Sequence, residues 1–246
     1  MTNALRLRID AVESFAADVA HELKNPLASL RSALESLERV EQPELRKQLS
    51  AIAAHDVLRI DRLVTEIADA SRIDAELSRT TFEAVDVLAL VEALVEARGK
   101  RGVHGDCKLT VTQDGPNPWL NPWQVPGDAA RLERVLENLL DNAVSFSPPG
   151  GSITVALARG EELVSITVTD EGPGIPPEAR EKVFERFHSL RPDAEDFGQH
   201  SGLGLAIART IALAHDGTLK VGERPRGKGG ARLEMTLPAW REEEAE

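Results

Sequence analysis

The chain has 246 residues, 41% hydrophobic and 28% charged, which is long enough for two modest domains with buried cores and too apolar for a disordered segment. Its 29 Lys and Arg stand against 41 Asp and Glu, and the formal charge of −12 repels a phosphate backbone and argues against nucleic acid as a partner. Cys107 is the single cysteine, no Cys/His cluster has zinc-ligand spacing, and no apolar run approaches the roughly 18 residues of a membrane span, so the chain reads as a soluble one suited to a reducing cytoplasm.

From Leu5 the apolar residues recur at 5, 9, 12, 16, 19 and 23 and resume at Leu27, Leu30, Leu34 and Leu37, a heptad-like helix. Two successive steps of four, Val19 to Leu23 to Leu27, make a stutter that unwinds a left-handed supercoil locally. Val40 to Pro43 reads as a turn, and Leu45, Leu49, Ile52, Val57, Ile60, Val64 and Ile67 mark a second long amphipathic helix. Two such stripes cannot bury each other completely, so the hairpin is expected to pair with a second copy as a four-helix bundle in a homodimer.

Near residue 80 the pattern changes, dividing a helical domain at 1–80 from a mixed domain at 81–246. The second domain is predicted to hold a helix near Asp86–Arg98, a strand at Cys107–Thr112, a helix at Asp128–Phe146, and alternating strands at Ile153–Leu157 and Val164–Val168. A Gly/Pro-rich loop, a short helix around Val183, a polar lid-like stretch from Leu190 to His200, a helix at Gly202–Ala214 and strands near Leu219 and Leu233 complete it. Strands with helices to one side make the fold class α+β.

At about 100° per residue, His21 lies about 200° from both Val19 and Leu23 and so points away from the bundle core. Pro26 cannot donate to the carbonyl of Glu22, which predicts a bend beside the histidine, and Asn25 shares the His21 face. An exposed helical histidine is either a surface residue or a nucleophile, and Glu22 beside it is either a solvated charge or a group that holds the ring proton. In RLERVLENLLDNAVSF, Asn138 and Asn142 sit four apart at the edge of the buried stripe, as surface polarity or as Mg²⁺ ligands beside phosphate. Asp170 ends a strand before EGPGIPP, which makes either a tight turn or a base pocket whose carboxylate accepts from the amine of adenine. The glycines of SGLGLAIA open a helix, where free N–H groups cradle phosphate or the small residues merely pack closely.

Taken together, HELKNPL at 21–27 resembles the phosphoacceptor box of sensor histidine kinases, NLLDNA at 138–143 their N box and DEGPGIP at 170–176 their first glycine box. VFERF at 183–187 is similar to their F box and SGLGLAIAR at 201–209 to their second glycine box, all in the family's order. The flanking text DVAHELKNPLASLRSALESL and HDVLRIDRLVTEIADASRIDAEL resembles the ChvG/ExoS-type envelope-sensing kinases.

The resemblance implies a dimerisation and phosphotransfer bundle followed by an ATP-binding α/β sandwich of the GHKL (Bergerat) type, shared with Hsp90, gyrase and MutL. It implies a protein-histidine kinase in which His21 attacks the γ-phosphate of ATP with Glu22 as general base. The phosphoryl group would then pass to an aspartate of a response regulator, and Asn25 would orient the water that dephosphorylates that partner. Asn142 would bind Mg²⁺ with Asn138 nearby, Asp170 would read adenine, Gly172, Gly174, Gly202, Leu203 and Gly204 would shape the nucleotide pocket, and Phe184 and Phe187 would anchor the lid. Ser145 and Ser189 stand where many relatives carry a basic residue, so Arg186 and Arg191 are the expected source of phosphate-neutralising charge. The chain begins almost at the phosphoacceptor helix, from which an inner-membrane anchor and a sensor region before residue 1 are expected.

Overall fold

A computed structural model describes residues 2–76, 82–103, 105–115, 123–188, 202–224 and 229–241. The chain divides into two compact units, the first holding the described residues up to Arg72 together with Gly202 and Leu203, and the second those from Ile73 to Glu76, Phe82 to His188 and Gly204 to Arg241.

The first unit is a hairpin of α1 (Thr2–Leu37) and α2 (Pro43–Glu76). Pro43 occupies the first helical position of α2, where its missing N–H costs nothing, and Glu44 complements the positive end of the helix. Arg46 donates from Nη1 to the carbonyls of Leu37 (2.6 Å) and Val40 (3.0 Å), so α2 caps the last carbonyl of α1 and one from the turn that follows. α1 stays helical through Pro26, which is buried. Inside the hairpin Ala33 and Leu63 are buried, while Leu27, Leu34, Leu45, Ile52, Val57, Leu58 and Val64 lie exposed.

The second unit begins with β1 (Glu83–Asp86), which pairs antiparallel with β3 (Gln124–Gly127) in a small ribbon. Its main sheet takes the order β2-β4-β5-β7-β6, from β2 (Lys108–Asp114), β4 (Ser152–Arg159), β5 (Leu163–Thr169), β6 (Thr218–Val221) and β7 (Arg232–Pro238). β2 and β4 run parallel, and the other pairs are antiparallel. Alternation decides the faces: Ile153, Val155 and Leu157 of β4, Val164, Ile166 and Val168 of β5, and Leu233, Met235 and Leu237 of β7 are all buried.

Among the described residues three α-helices accompany this sheet: α3 (Val87–Arg101), α4 (Ala129–Phe146) and α5 (Gly204–Ala214). α4 lies between α3 and α5, and its stripe of Leu132, Val135, Leu136, Leu139, Leu140 and Ala143 is buried throughout. Burying each leucine contributes about 1.5–3 kcal/mol relative to leaving it in water. Asp86 and Asp128 cap α3 and α4, each side chain accepting two backbone N–H bonds from the first turn.

α5 begins at Gly204 and not at the predicted Gly202, because Gly202 takes φ +73° and cannot join a right-handed helix. The helix predicted around Val183 is two short 3₁₀ turns, Pro177–Ala179 and Lys182–Phe184. The predicted lid at 190–200 lies outside the described residues.

His215 locks three parts of this unit together. Its Nδ1 bonds the carbonyl of Ile211 (2.8 Å), its Nε2 accepts the N–H of Asp128 (3.1 Å), and its ring stacks on Phe82 with centroids 4.6 Å apart. Gly127 packs so closely that a Cβ there would meet the ring at 2.9 Å. Burial holds the imidazole below its usual value near 6.5, against the bond to Ile211 and the charges of Asp128 and Asp216, with Arg131 adding to the depression. The unfolded chain therefore binds the proton more readily, and stability is expected to fall as pH drops below about 6.5 and to level off below the folded value. Denaturant midpoints measured across that window should show the slope in the native chain and a weaker one in His215→Gln; equal slopes would remove this assignment.

Candidate functional site

In the hairpin, His21 and Asn25 are exposed one turn apart on α1, as the helical phase requires. Glu22 is half-buried, and its carboxylate lies 3.6 Å from the guanidinium of Arg59 on α2. Among the described residues no hydrogen bond joins Glu22 to the imidazole. Arg59 thus fixes the carboxylate next to the histidine, a contact across the hairpin that spacing along one helix could not reveal. Asp56, on the Arg59 face of α2, is 6% exposed, and its Oδ2 has no hydrogen-bond partner among the described residues.

In the second unit Asp170 directly follows the C-terminal end of the central strand β5, where it is 3% exposed. Its Oδ1 accepts from Gly172 N–H (2.8 Å) and Ala231 N–H (2.9 Å), while its own N–H donates to the carbonyl of Ala231 (3.1 Å). Both of these bonds end on Oδ1, and among the described residues none ends on Oδ2, which leaves that oxygen for a ligand. Burial pushes the carboxyl above the ordinary 3.8, opposed by the two N–H groups and, more weakly, by the charge of Arg224.

Glycine is required around this carboxylate. A Cβ at Gly172 would meet the carbonyl of Phe146 at 2.5 Å, and Gly174 takes φ +83° against the carbonyl of Gly230. Gly230 takes φ +94°, and a Cβ there would collide with the carbonyl of Asp170. Arg224 donates to the carbonyl of Gly229 and braces the same turn. Gly230, Ala231 and Arg224 escaped sequence reading; the Gly229-Gly230 pair ahead of the last strand was the available signal.

On α4, Asn138 and Asn142 are half-buried on one face. The buried Nδ2 of Asn138 has no hydrogen-bond partner among the described residues, and its Oδ1 would meet a Cβ at Gly204 at 3.3 Å. The asparagine therefore faces the start of α5, whose first N–H groups lack helical partners. A donor left unpaired beside a helix N-terminus, with glycines that let a ligand approach backbone, fits an anionic ligand with a polar base. Leu203 is buried directly before α5.

Phe184 is 7% exposed at the end of its 3₁₀ turn, and Phe187 takes φ +60°, a conformation strained for an aromatic residue. Arg186 is exposed, and Arg191 lies outside the described residues.

Residues 11–76 match the model of the His Kinase A (phospho-acceptor) domain, and residues 127–241 match that of the histidine kinase-, DNA gyrase B-, and HSP90-like ATPase. The chain belongs to the sensor histidine kinases, as a core that joins a phosphoacceptor hairpin to a GHKL-type domain. It is 46% identical over 245 residues to the sensor protein ChvG of Rhizobium meliloti, covering 97% of this chain and 42% of that protein. A solved mycobacterial sensor histidine kinase MprB shares 36% identity with a TM-score of 0.54, over 64% of this chain and 97% of that one. A histidine kinase ThkA, solved in complex with the response regulator protein TrrA, has the same fold at TM-score 0.70 and 22% identity, over 95% of this chain and 63% of that one. The chain spans less than half the length of the curated ChvG it matches.

Proposed function

We propose that this chain autophosphorylates at His21 with the γ-phosphate of ATP and then passes the phosphoryl group to an aspartate of a response regulator. The observation that carries the reading is the ligand-ready Asp170, its free oxygen framed by three glycines, on the same chain as an exposed histidine beside a buried proline. Asp170 would accept from the exocyclic amine of adenine, which guanine lacks at that position. Asn138 and Asn142 would hold Mg²⁺ and phosphate oxygens, and the start of α5 behind Gly202, Leu203 and Gly204 would receive the phosphates. Bound Mg²⁺ would neutralise charge developing on the transferred group.

On the hairpin, Glu22 held by Arg59 would take the imidazole proton, and His21 is accessible to a second protein. Exposed Asn25 would orient the water that dephosphorylates the partner, giving the chain a phosphatase phase. The functional boundary falls between 1–80 and 81–246. An anchored inner-membrane sensor with this core in the cytoplasm, where ATP is supplied, suits the reading; among the described residues no helix is long and apolar enough to cross a membrane. Incubation with γ-labelled ATP tests the function: label should appear that survives alkali, is lost in acid, and chases onto a receiver domain. Absence of such label in a chain that binds Mg-ATP would favour a scaffold or phosphatase role.

The partner of the hairpin is a second copy. Leu27 and Leu34, Leu45 and Ile52, and Val57 and Val64 form three exposed pairs at heptad spacing, a stripe that one hairpin leaves in water. Sedimentation should give a dimer mass for the native chain and a monomer mass for Leu34→Asp combined with Ile52→Asp. A native chain that sediments as a monomer at micromolar concentration would contradict the pairing.

A further inference from the structure

The F-box segment is built from 3₁₀ turns, and turns this short cannot hold their own position, since their hydrogen bonds are few and poorly aligned. Neither turn carries a side-chain cap. Something outside must fix them. In a 3₁₀ turn the side chains at i and i+3 eclipse, so Glu181, which precedes the Lys182–Phe184 turn, and Phe184, which ends it, project to the same side.

Both meet one side chain of α5. Arg209 places Nη1 2.8 Å from Glu181 Oε2 and its guanidinium carbon 4.8 Å from the centroid of the Phe184 ring. Guanidinium suits this double role, because its edge donates to a carboxylate while its face stacks on a ring; an ammonium can satisfy the carboxylate without offering a flat face. The same helix opens at Gly204 against Asn138, five residues before Arg209.

We propose that Arg209 is a positioning residue for nucleotide binding: one guanidinium pins both ends of the F-box turn to the helix whose N-terminus receives the phosphates. The proposal rests on the ATP site described above. An ion pair with one partner 34% and the other 78% exposed adds little to global stability. Its consequence is geometric, setting where Phe184 and the chain leading away from it stand relative to the pocket.

The test uses the full chain and three variants, Arg209→Met, Arg209→Lys and Glu181→Gln, with Asp170→Asn as a nucleotide-binding control. Mg-ATP affinity is measured by displacement of a fluorescent ATP analogue, and amide exchange is followed over 182–188. Arg209→Met is expected to weaken Mg-ATP binding about tenfold and raise KM for ATP in parallel, with kcat changed less than about twofold, as loss of uniform binding requires. Exchange over 182–188 should quicken while Tm barely moves. Arg209→Lys should fall between Met and the native chain, and Glu181→Gln should show a smaller loss of the same kind.

Unchanged affinity and unchanged exchange in Arg209→Met would overturn the proposal. If that variant lost its fold, Glu181→Gln would decide, and native exchange and affinity there would overturn it equally. A native chain that binds no nucleotide, or an Asp170→Asn variant that binds as well as the native chain, would instead remove the ATP-site reading beneath it.

Discussion

Replacing His21 by alanine is expected to abolish labelling from γ-labelled ATP, with a loss of at least about 1,000-fold, because a removed nucleophile leaves nothing to form the phosphoryl bond. Nucleotide affinity should be untouched, since none of the residues assigned to ATP lies on α1 or α2, and Asn138, Asn142, Asp170 and Gly204 belong to the second unit. The pairing of lost label with kept affinity separates a phosphoacceptor from a residue that supports the fold. His21 is exposed, so alanine there opens no cavity, and the hairpin's buried residues Ala33 and Leu63 keep their packing. Arg59→Met makes the companion measurement. It releases the Glu22 carboxylate, which Arg59 holds at 3.6 Å, and should slow labelling about tenfold while His21 remains competent, within the range for a mispositioned general base. Label that persists in His21→Ala would move the phosphoacceptor elsewhere and remove the central claim.

The parts of this molecule legible in its sequence are those governed by local periodicity. The stripe of α4 from Leu132 to Ala143 repeats every three or four residues, and the buried apolar residues of β4 and β5 fall at every second position, so the buried apolar faces follow from spacing, with Thr167 buried in addition. The same periodicity places His21 outward, and it is exposed. What spacing could not supply are contacts between distant segments. Ala231 reaches Asp170 across 61 positions, Arg209 reaches Glu181 across 28, and Arg59 reaches Glu22 across the hairpin. β1 and β3 have four residues each, too few for alternation to register, and they exist because they pair with one another. The late start of α5 has a different origin: spacing makes Gly202 a helix opener, but its left-handed backbone is what turns the chain into the helix.

Asp170→Asn is expected to separate stability from binding most sharply. Asn Oδ1 can still accept the N–H groups of Gly172 and Ala231, which lie 2.8 and 2.9 Å from the native oxygen, so the turn has no reason to open. Burial raises the native carboxyl above its ordinary 3.8, so the folded chain holds that proton more tightly than the unfolded chain does. Stability is therefore lost as pH rises from the unfolded value through the folded one, and the buried charge carries that cost in the folded chain. A neutral amide removes that cost, and the denaturant midpoint of Asp170→Asn at neutral pH should equal or exceed the native one. Binding should move the other way. The amide nitrogen would stand where Oδ2 offered an acceptor, meeting the amine of adenine donor to donor, and an unpaired buried polar contact of this kind costs about 1–3 kcal/mol or more. Mg-ATP affinity should fall at least about tenfold, whereas inosine triphosphate, with a carbonyl in place of the amine, should lose much less. Calorimetric titration with both nucleotides checks the inversion: equal losses for ATP and inosine triphosphate would mean that Asp170 shapes the turn without reading the base.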